Sequence, residues 1–585
     1  MAAEDSIPAK TRPGTLGALA VYLERRSLVM LALGFASGLP NLLIFDTLSG
    51  WLRDAGVTLE MIAFFSLATL SYSLKFLWAP LVDRTKVPGL TAWFGHRRSW
   101  MLICQALIIL GLWLIAGGDP VANLPLMAGL AVVVGFIAAT QDIVIDAWRI
   151  EAAVVDKQGP MAAAYQWGYR IAVVVAGAVP LVLSDHIGWN LSYGLMAALM
   201  VVGVLGVFGA PREAQHAIRT IDTGDIPAAP ARDLAEWIAR LALVALGALV
   251  LGSGLAGNAA MLAGGLGMLG LPEAGAALKA AWESKAGGTF LQFAGVLAGF
   301  AVVFLATRQI PGGKTRPGRY LSVALDAPLI DFFQRYGRQA ALILALICVY
   351  RLSDSVLNIM TPFYLDMGFD KLEIAEVRKG LGVIMSVIGV GLGGFAVVRF
   401  GLMRALVIGA FAGPISNLAF AWLAVQGPDL WALAVSIAID NIAGGFAGTC
   451  LIAYMSSLTA EGFTATQYAL FSSLYSLLGK LLASQSGRIV EGVAASADAG
   501  GGFAPLQNLF LDMPPGTFGT AMEKSGVGAA ALGAGYLAFF VYSAVIGLAG
   551  VVLAFMIAAR QPKTAATGSP AATSQAEATE VRPGR

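Results

Sequence analysis

The sequence predicts an all-α integral membrane protein: two six-helix bundles with two further spans between them, fourteen transmembrane helices in all. Three observations predict it. Of 585 residues, 57% are hydrophobic and 13% charged, where soluble domains carry about 25% charged residues. Apolar runs of about 20 residues, long enough to cross a bilayer as a helix, recur along the chain. The runs are grouped six, two and six, with polar linkers flanking the middle pair.

The first six spans are expected at 28–50, 61–82, 99–116, 124–148, 162–184 and 189–209, forming an N-terminal bundle over 28–209. The segment 1–27 before them has no apolar core of signal-peptide type. The region 210–337 holds a polar linker (APREAQHAIRTIDTGDIPAAPARD), spans at 234–256 and 289–308, and a second linker rich in Arg, Lys and Pro. The last six spans are expected at 338–362, 379–398, 402–425, 430–455, 466–490 and 530–558, a C-terminal bundle over 338–558. The tail 559–585 is polar and expected to be disordered. Most loop Lys and Arg, among them Arg25, Arg26, Arg84, Arg97, Arg98, Arg316 and Arg319, fall on one side if the N-terminus is cytoplasmic, as the positive-inside rule requires. An even span count returns the C-terminus, with Arg560 and Lys563, to that side.

Several function classes are disfavoured. A net charge of +2 suggests no nucleic-acid partner. Cys104, Cys348 and Cys450 lie inside predicted spans without a CxxC, and His96, His186 and His216 read as loop residues. No metal site, cofactor site or nucleophile–base pair of a membrane enzyme is therefore expected.

Three weak matches relate the two bundles. WLRDAGVTLE after the first span matches YLDMGFDKLE in the second half; APLVDR and GHRR match GFAVVR and FGLMR; YQWGYR matches YSLLGK. All fall at corresponding places, as internal repeats do. Two related bundles imply a cavity between them that opens to alternate sides, which is a transporter plan.

The loop after the second span carries Ala79, Asp83 and Arg84, then Gly95, Arg97 and Arg98. Asp83, at a helix end, can pair with basic groups or sit at another helix's N-terminus, forming a cytoplasmic latch. The second-half copy has Val398 at the Asp position, which weakens any latch there.

Ionisable groups inside spans cost roughly 2.5–3.5 kcal/mol each on insertion scales and usually face a cavity or a partner. They are Asp46, Lys75, Asp142, Asp146, Arg170, Arg351, Asp354, Asp440 and Lys480. Asp142, Asp146 and Arg149 share one face of the fourth span at i, i+4 and i+7. Asp146 can pair with Arg149, and Lys75 can reach Asp146 or snorkel; Lys75, Arg149 and Arg351 form the expected ion-pair network. Arg170 is expected at the depth of Asp142, either as a static pair or as the neighbour of a proton carrier. Arg351 can pair with Asp354. Asp440-Asn441 stands in the place of Gln141-Asp142, and Lys480 in that of Arg170. The proton-coupling candidates are Asp142, Asp146, Asp354 and Asp440. In the first span, Gly34 and Gly38 permit close helix approach, and Pro40 removes a backbone hydrogen bond and frees a carbonyl. Asp46 lies one to two turns beyond Pro40, at the cavity mouth or at the interface.

GFASGLPNLL (34–43), KFLWAPLVDR (75–84), FGHRRSW (94–100), QDIVIDAW (141–148), GYR (168–170) and TATQYALFSSL (464–474) together resemble the AmpG muropeptide permease family of the major facilitator superfamily. The middle pair of spans is similar to an insertion in its longer members. The resemblance implies a monomeric, multi-pass protein of the bacterial inner membrane. It would import N-acetylglucosaminyl-1,6-anhydro-N-acetylmuramyl peptides from periplasm to cytoplasm by proton symport, for peptidoglycan recycling and β-lactamase induction. Such a substrate needs cations for its carboxylates and amides for its hydroxyls. Gln141, Arg170, Asn441, Gln467 and Lys480 are the candidate binders, although Gln467 also fits a polar helix start. Trp167 or Tyr169 can stack on a sugar. A carrier of another large anion, such as acetyl-CoA, and a transport-inactive sensor remain alternatives.

Overall fold

The computed structural model describes residues 14–57, 68–212, 218–219, 221–284, 287–309, 313–353, 359–483 and 486–560. Ten helical stretches among them are long and apolar enough to cross a bilayer. We label α1 Arg25–Asp54, α2 Ala68–Leu74 and α3 Ala79–Arg84. Next come α4 His96–Ala116, α5 Leu124–Glu151 and α6 Gln158–Leu199, then α7 Pro230–Ala256 and α8 Gly288–Thr307. There follow α9 Arg316–Tyr336, α10 Gln339–Val349, α11 Gly382–Phe400, α12 Leu402–Gln426, α13 Leu430–Ser457, α14 Thr464–Ala483, α15 Ser486–Asp498 and α16 Ala529–Arg560.

One apolar stretch, Val155–Gly209, runs for 55 residues, about 80 Å at ~1.5 Å per residue and far more than one crossing. It bends at Gly188, where φ is 79° and ψ 161°, so the expected fifth and sixth spans are its two arms. The expected spans 61–82, 338–362 and 466–490 each include residues outside the described set; α2 with α3, α10, and α14 with the start of α15 lie in their described parts.

Two stretches between expected spans fold. The stretch after residue 315 is the 21-residue helix α9, whose first turn is capped by the Thr315 hydroxyl accepting from the Gly318 amide. It buries Ala324, Pro328 and Phe332 on one face. Its polar face keeps its mean hydropathy low, so it gives no span signal. The segment 491–529 contributes Ala494, Ala497, Phe510, Phe518 and Ala521 to the core of the second bundle.

The cores show how the bundles meet. At the Arg53 end, each bundle has its own core: Leu43, Ile115, Met127 and Tyr193 in the first, Phe363, Phe420 and Phe540 in the second. At the Asp83 end the cores interlock. Ala465 and Ala469 of α14 bury themselves in the first bundle, and Ile150 of α5 packs on the second. The middle pair α7 and α8 lie against each other and reach the first bundle through Leu251, Leu255 and Val296 on Leu74.

Candidate functional site

α1 and α6 approach so closely that side chains would collide. A Cβ on Gly34 or Gly38 would meet the backbone of Tyr165 or Tyr169, and one on Gly168 would meet the carbonyl of Leu31. α1 does not break at Pro40. It continues into a π-helical turn, Leu43–Thr47. Proline has no N–H, so the carbonyl four residues earlier, on Ala36, loses its helical partner. Gln141 Nε2 donates to that carbonyl at 3.0 Å. The amide nitrogen of the fully buried Gln141 is thus engaged in repairing α1, a role that its reading as a substrate group did not include.

Asp142, one residue on, is also aimed at α1. It accepts from the Ser37 hydroxyl, which lies 2.9 Å from the Tyr165 hydroxyl. The expected Asp142–Arg170 contact does not form. α5 and α6 are consecutive in sequence but barely touch, because α1 packs between them. Arg170 lies instead on the stripe of α6 that faces the second bundle, with Ala163, Gln166 and Trp167. Below Asp142, Lys75 Nζ is 3.7 Å from Asp146, and Arg149 donates to Asp146 at 3.2 Å. Arg149 also crosses between the bundles, donating to the Ser456 hydroxyl at 2.9 Å and lying 5.2 Å from the Tyr468 ring centroid.

Arg170 opens onto a cavity of about 130 Å³ that it shares with Arg351, Ser386, Asp440 and Asn441. Arg351 Nη1 donates to the Tyr475 hydroxyl at 3.3 Å. Asn441 Nδ2 donates to the carbonyl of Ile437 at 2.9 Å. Two guanidinium groups, one carboxylate and one amide meet here, a lining suited to an anionic group with polar substituents. The expected Arg351–Asp354 pair involves Asp354, which lies outside the described residues, as does the Lys480 side chain.

Gln467 is not at this cavity. Its Nε2 donates to the Pro328 carbonyl at 2.9 Å and to Asp331 at 3.0 Å, and its Oε1 accepts from Arg335 at 3.1 Å and the Ala460 amide at 2.7 Å. It ties α14 to α9, the alternative that its helix-start position left open. Trp167 likewise joins the bundles rather than lining a sugar site. Its indole N–H donates to the Val387 carbonyl at 2.9 Å, and its ring stacks on Tyr22 with centroids 5.1 Å apart. Gln166, unnoticed in the sequence, donates to Thr449 at 2.7 Å across the same seam.

At the other end of α3, Asp83 makes both contacts its position allows. It accepts from Arg97 at 2.7 Å and lies at the N-terminus of α14. There the Ala465 and Thr466 amides donate to it at 3.2 and 2.8 Å, and the Thr466 hydroxyl at 2.6 Å. These first-turn amides have no intrahelical acceptor, and the helix dipole favours an anion beside them. Arg97 also donates to Glu151 at 2.6 Å. Gly95, at φ 93° and ψ 172°, precedes the first turn of α4 and brings Arg97 to this corner. Arg98 donates to the Val207 carbonyl at 3.1 Å, and Arg84 lies 5.9 Å from the Phe463 ring centroid. The second-half copy of this corner is apolar: a Cβ on Gly159, at the start of α6, would lie 2.7 Å from Val397 Cβ.

Residues 27–123 match the family model described as acetyl-coenzyme A transporter 1. An anhydromuropeptide permease of Escherichia coli K12 is 30% identical over 459 residues, 78% of this chain and 72% of that one. A putative transporter AmpG 4 of Rickettsia conorii is 28% identical over 474 residues, 80% of this chain and 91% of that one. Among solved structures, a human organic anion transporter aligns with TM-score 0.43 at 14% identity, covering 93% of this chain and 100% of that one. A major facilitator proton:xylose symporter aligns with TM-score 0.49 at 10% identity, covering 92% and 95%.

Proposed function

Because the chain belongs to the AmpG family of anhydromuropeptide permeases, we propose that it imports anhydromuropeptides across the bacterial inner membrane by proton symport. In this reading the chain crosses fourteen times, both termini are cytoplasmic, it works as a monomer, and the Asp83 corner is the cytoplasmic gate, closed here. The observation that carries the proposal is the convergence of Arg170, Arg351, Asp440 and Asn441 on one cavity at the seam between the bundles. The guanidinium groups receive a carboxylate of the peptide, and Asn441 a hydroxyl or amide. Asp142 carries the proton. It is buried apart from the cavity, beside Lys75 and Asp146, whose partner Arg149 bridges to the second bundle. Protonation of Asp142 would change the balance of charge in that line, and so the strength of the contact between bundles. Asp440 and Asp146 are the remaining described acids that can take part.

The test is uptake of labelled anhydromuropeptide into vesicles, with and without a protonophore, for wild type, Arg170→Gln and Asp142→Asn. Wild-type uptake should collapse with the protonophore. Arg170→Gln should bind more weakly, and Asp142→Asn should lose driven uptake while retaining exchange. Absence of wild-type uptake would refute the substrate, and uptake indifferent to the protonophore would refute coupling. The match of residues 27–123 to an acetyl-coenzyme A transporter model favours a second reading, a large phosphorylated anion. All four cavity residues lie outside that match. Competition by acetyl-CoA in the same assay separates the two.

A further inference from the structure

The 130 Å³ cavity can hold one charged end of a substrate, not a sugar-peptide. The rest must run along the cleft. On α6, Gly177 and Leu181 lie seven and eleven residues beyond Arg170, near its helical stripe and beside α1, where a Cβ on Gly177 would lie 2.9 Å from Leu42. They are about 10–17 Å farther toward the Arg53 end. There they border a second, larger cavity of about 350 Å³, completed by Asp46, Thr47, Ser49, Gly50 and Arg53 of α1.

The α1 wall of this cavity has two features that helix packing does not require. The first is the π turn, Leu43–Thr47, which inserts a residue and sets the direction of Asp46 and everything after it; such turns gather at functional sites. The second is charge left without an ionic partner among the described residues. There Asp46 makes no hydrogen bond or ion pair, and Arg53 makes one contact, 3.4 Å from Nη1 to the Val57 carbonyl. Both are exposed. They are seven residues apart, so they share a face about 10 Å apart along the helix, too far for direct pairing. A carboxylate in an apolar span is costly unless it serves water, a partner or a ligand.

We propose that Asp46 and Arg53 form an outer binding station for a zwitterionic part of the same substrate, an ammonium held by Asp46 and a carboxylate by Arg53, while another carboxylate occupies the Arg170–Arg351 cavity. The inference rests on the peptide-transport reading above. The station selects for the peptide portion, and the sugar lies between the two sites or beside them in the open cleft.

Three variants test it. Asp46→Asn and Arg53→Gln together remove both charges. Gly50→Leu fills the cavity, since a Cβ there would contact only Leu181 and Trp189, at 3.9 Å. Arg170→Gln is the inner-site control. In vesicle uptake, the first two should raise KM for anhydromuropeptide about tenfold with maximal rate retained. The free zwitterionic peptide should compete in wild type but not in the double variant. An unchanged KM in both variants overturns the station. Direct binding of the free peptide to purified wild type and double variant separates this from failure of the transport reading. If wild type transports no anhydromuropeptide yet binds peptide and the double variant does not, the station stands and the transport reading falls. Equal binding, or none, to both proteins overturns the station.

Discussion

Neutralising Asp83 should open the end of the molecule it closes. Its pair with Arg97 lies within one bundle and survives opening. Its three bonds to α14 do not, because they span the seam. Each is a hydrogen bond to a charged group, worth about 1.5–3 kcal/mol in isolation and less when three share one carboxylate. Asp83→Asn keeps one acceptor oxygen, but presents an amide N–H₂ where donors converge and removes the charge that favours the α14 dipole. A loss of about 3 kcal/mol from the closed state is a reasonable total. At ~1.4 kcal/mol per factor of ten, the ratio of closed to open molecules falls about a hundredfold.

The assay is a distance distribution between spin labels at Lys86→Cys and Glu461→Cys, both exposed and on opposite sides of the seam, in a background lacking Cys104, Cys348 and Cys450. The Asp83 protein should show one short-distance population. Asp83→Asn should add a longer one, and Thr466→Val a smaller amount of the same species. Identical distributions in all three proteins would refute the argument that this carboxylate holds the bundles together.

Two further outcomes follow from the first bundle. Gln141→Leu leaves the Ala36 carbonyl without its partner in an apolar interior and should lower stability by about 1–2 kcal/mol, read as earlier thermal unfolding in detergent; no change would mean that the carbonyl had found another donor. Arg149→Met leaves buried Asp146 with only Lys75 at 3.7 Å and should destabilise by about 3–5 kcal/mol, with Asp146→Asn recovering much of the loss; an unrecovered double variant would place the role of Arg149 in the Ser456 bridge instead.

The two-bundle plan was legible because bilayer thickness imposes run length, and run length is written in hydropathy. The Asp83 corner was legible because a carboxylate at one helix end has few uses other than cations and another helix's N-terminus. The contact that Gln141 makes was not legible, for the opposite reason. Its partner is a carbonyl freed by Pro40 on a different helix, and no spacing within α5 records that. The Asp142–Arg170 pair does not form because chain order is not spatial order here: α1 lies between the two helices, and Arg170 turns to the second bundle, where it shares a cavity with Arg351 and Asp440. Helix α9 was hidden by its polar face, although Phe332 on its apolar face packs 5.2 Å from Phe471 of α14, centroid to centroid.

The repeat adds an asymmetry that its sequence traces only hint at. The first bundle grips the second through a charged contact, Asp83 on α14. The second grips the first through shape, Val397 on Gly159, with the Gly394 carbonyl 3.1 Å from a would-be Cβ. A charged contact responds to salt and titration; a close-packed one responds to volume. Gly159→Ala should therefore weaken the closed state by about 1–3 kcal/mol through overpacking against the valine, read by the same spin-label distances. Val397→Ala in that background should restore it by giving the new methyl room. The pair is suited to a double-mutant cycle: additive effects, with no recovery in the double variant, would show that Gly159 and Val397 do not meet in the closed molecule and that the second grip lies elsewhere along the seam.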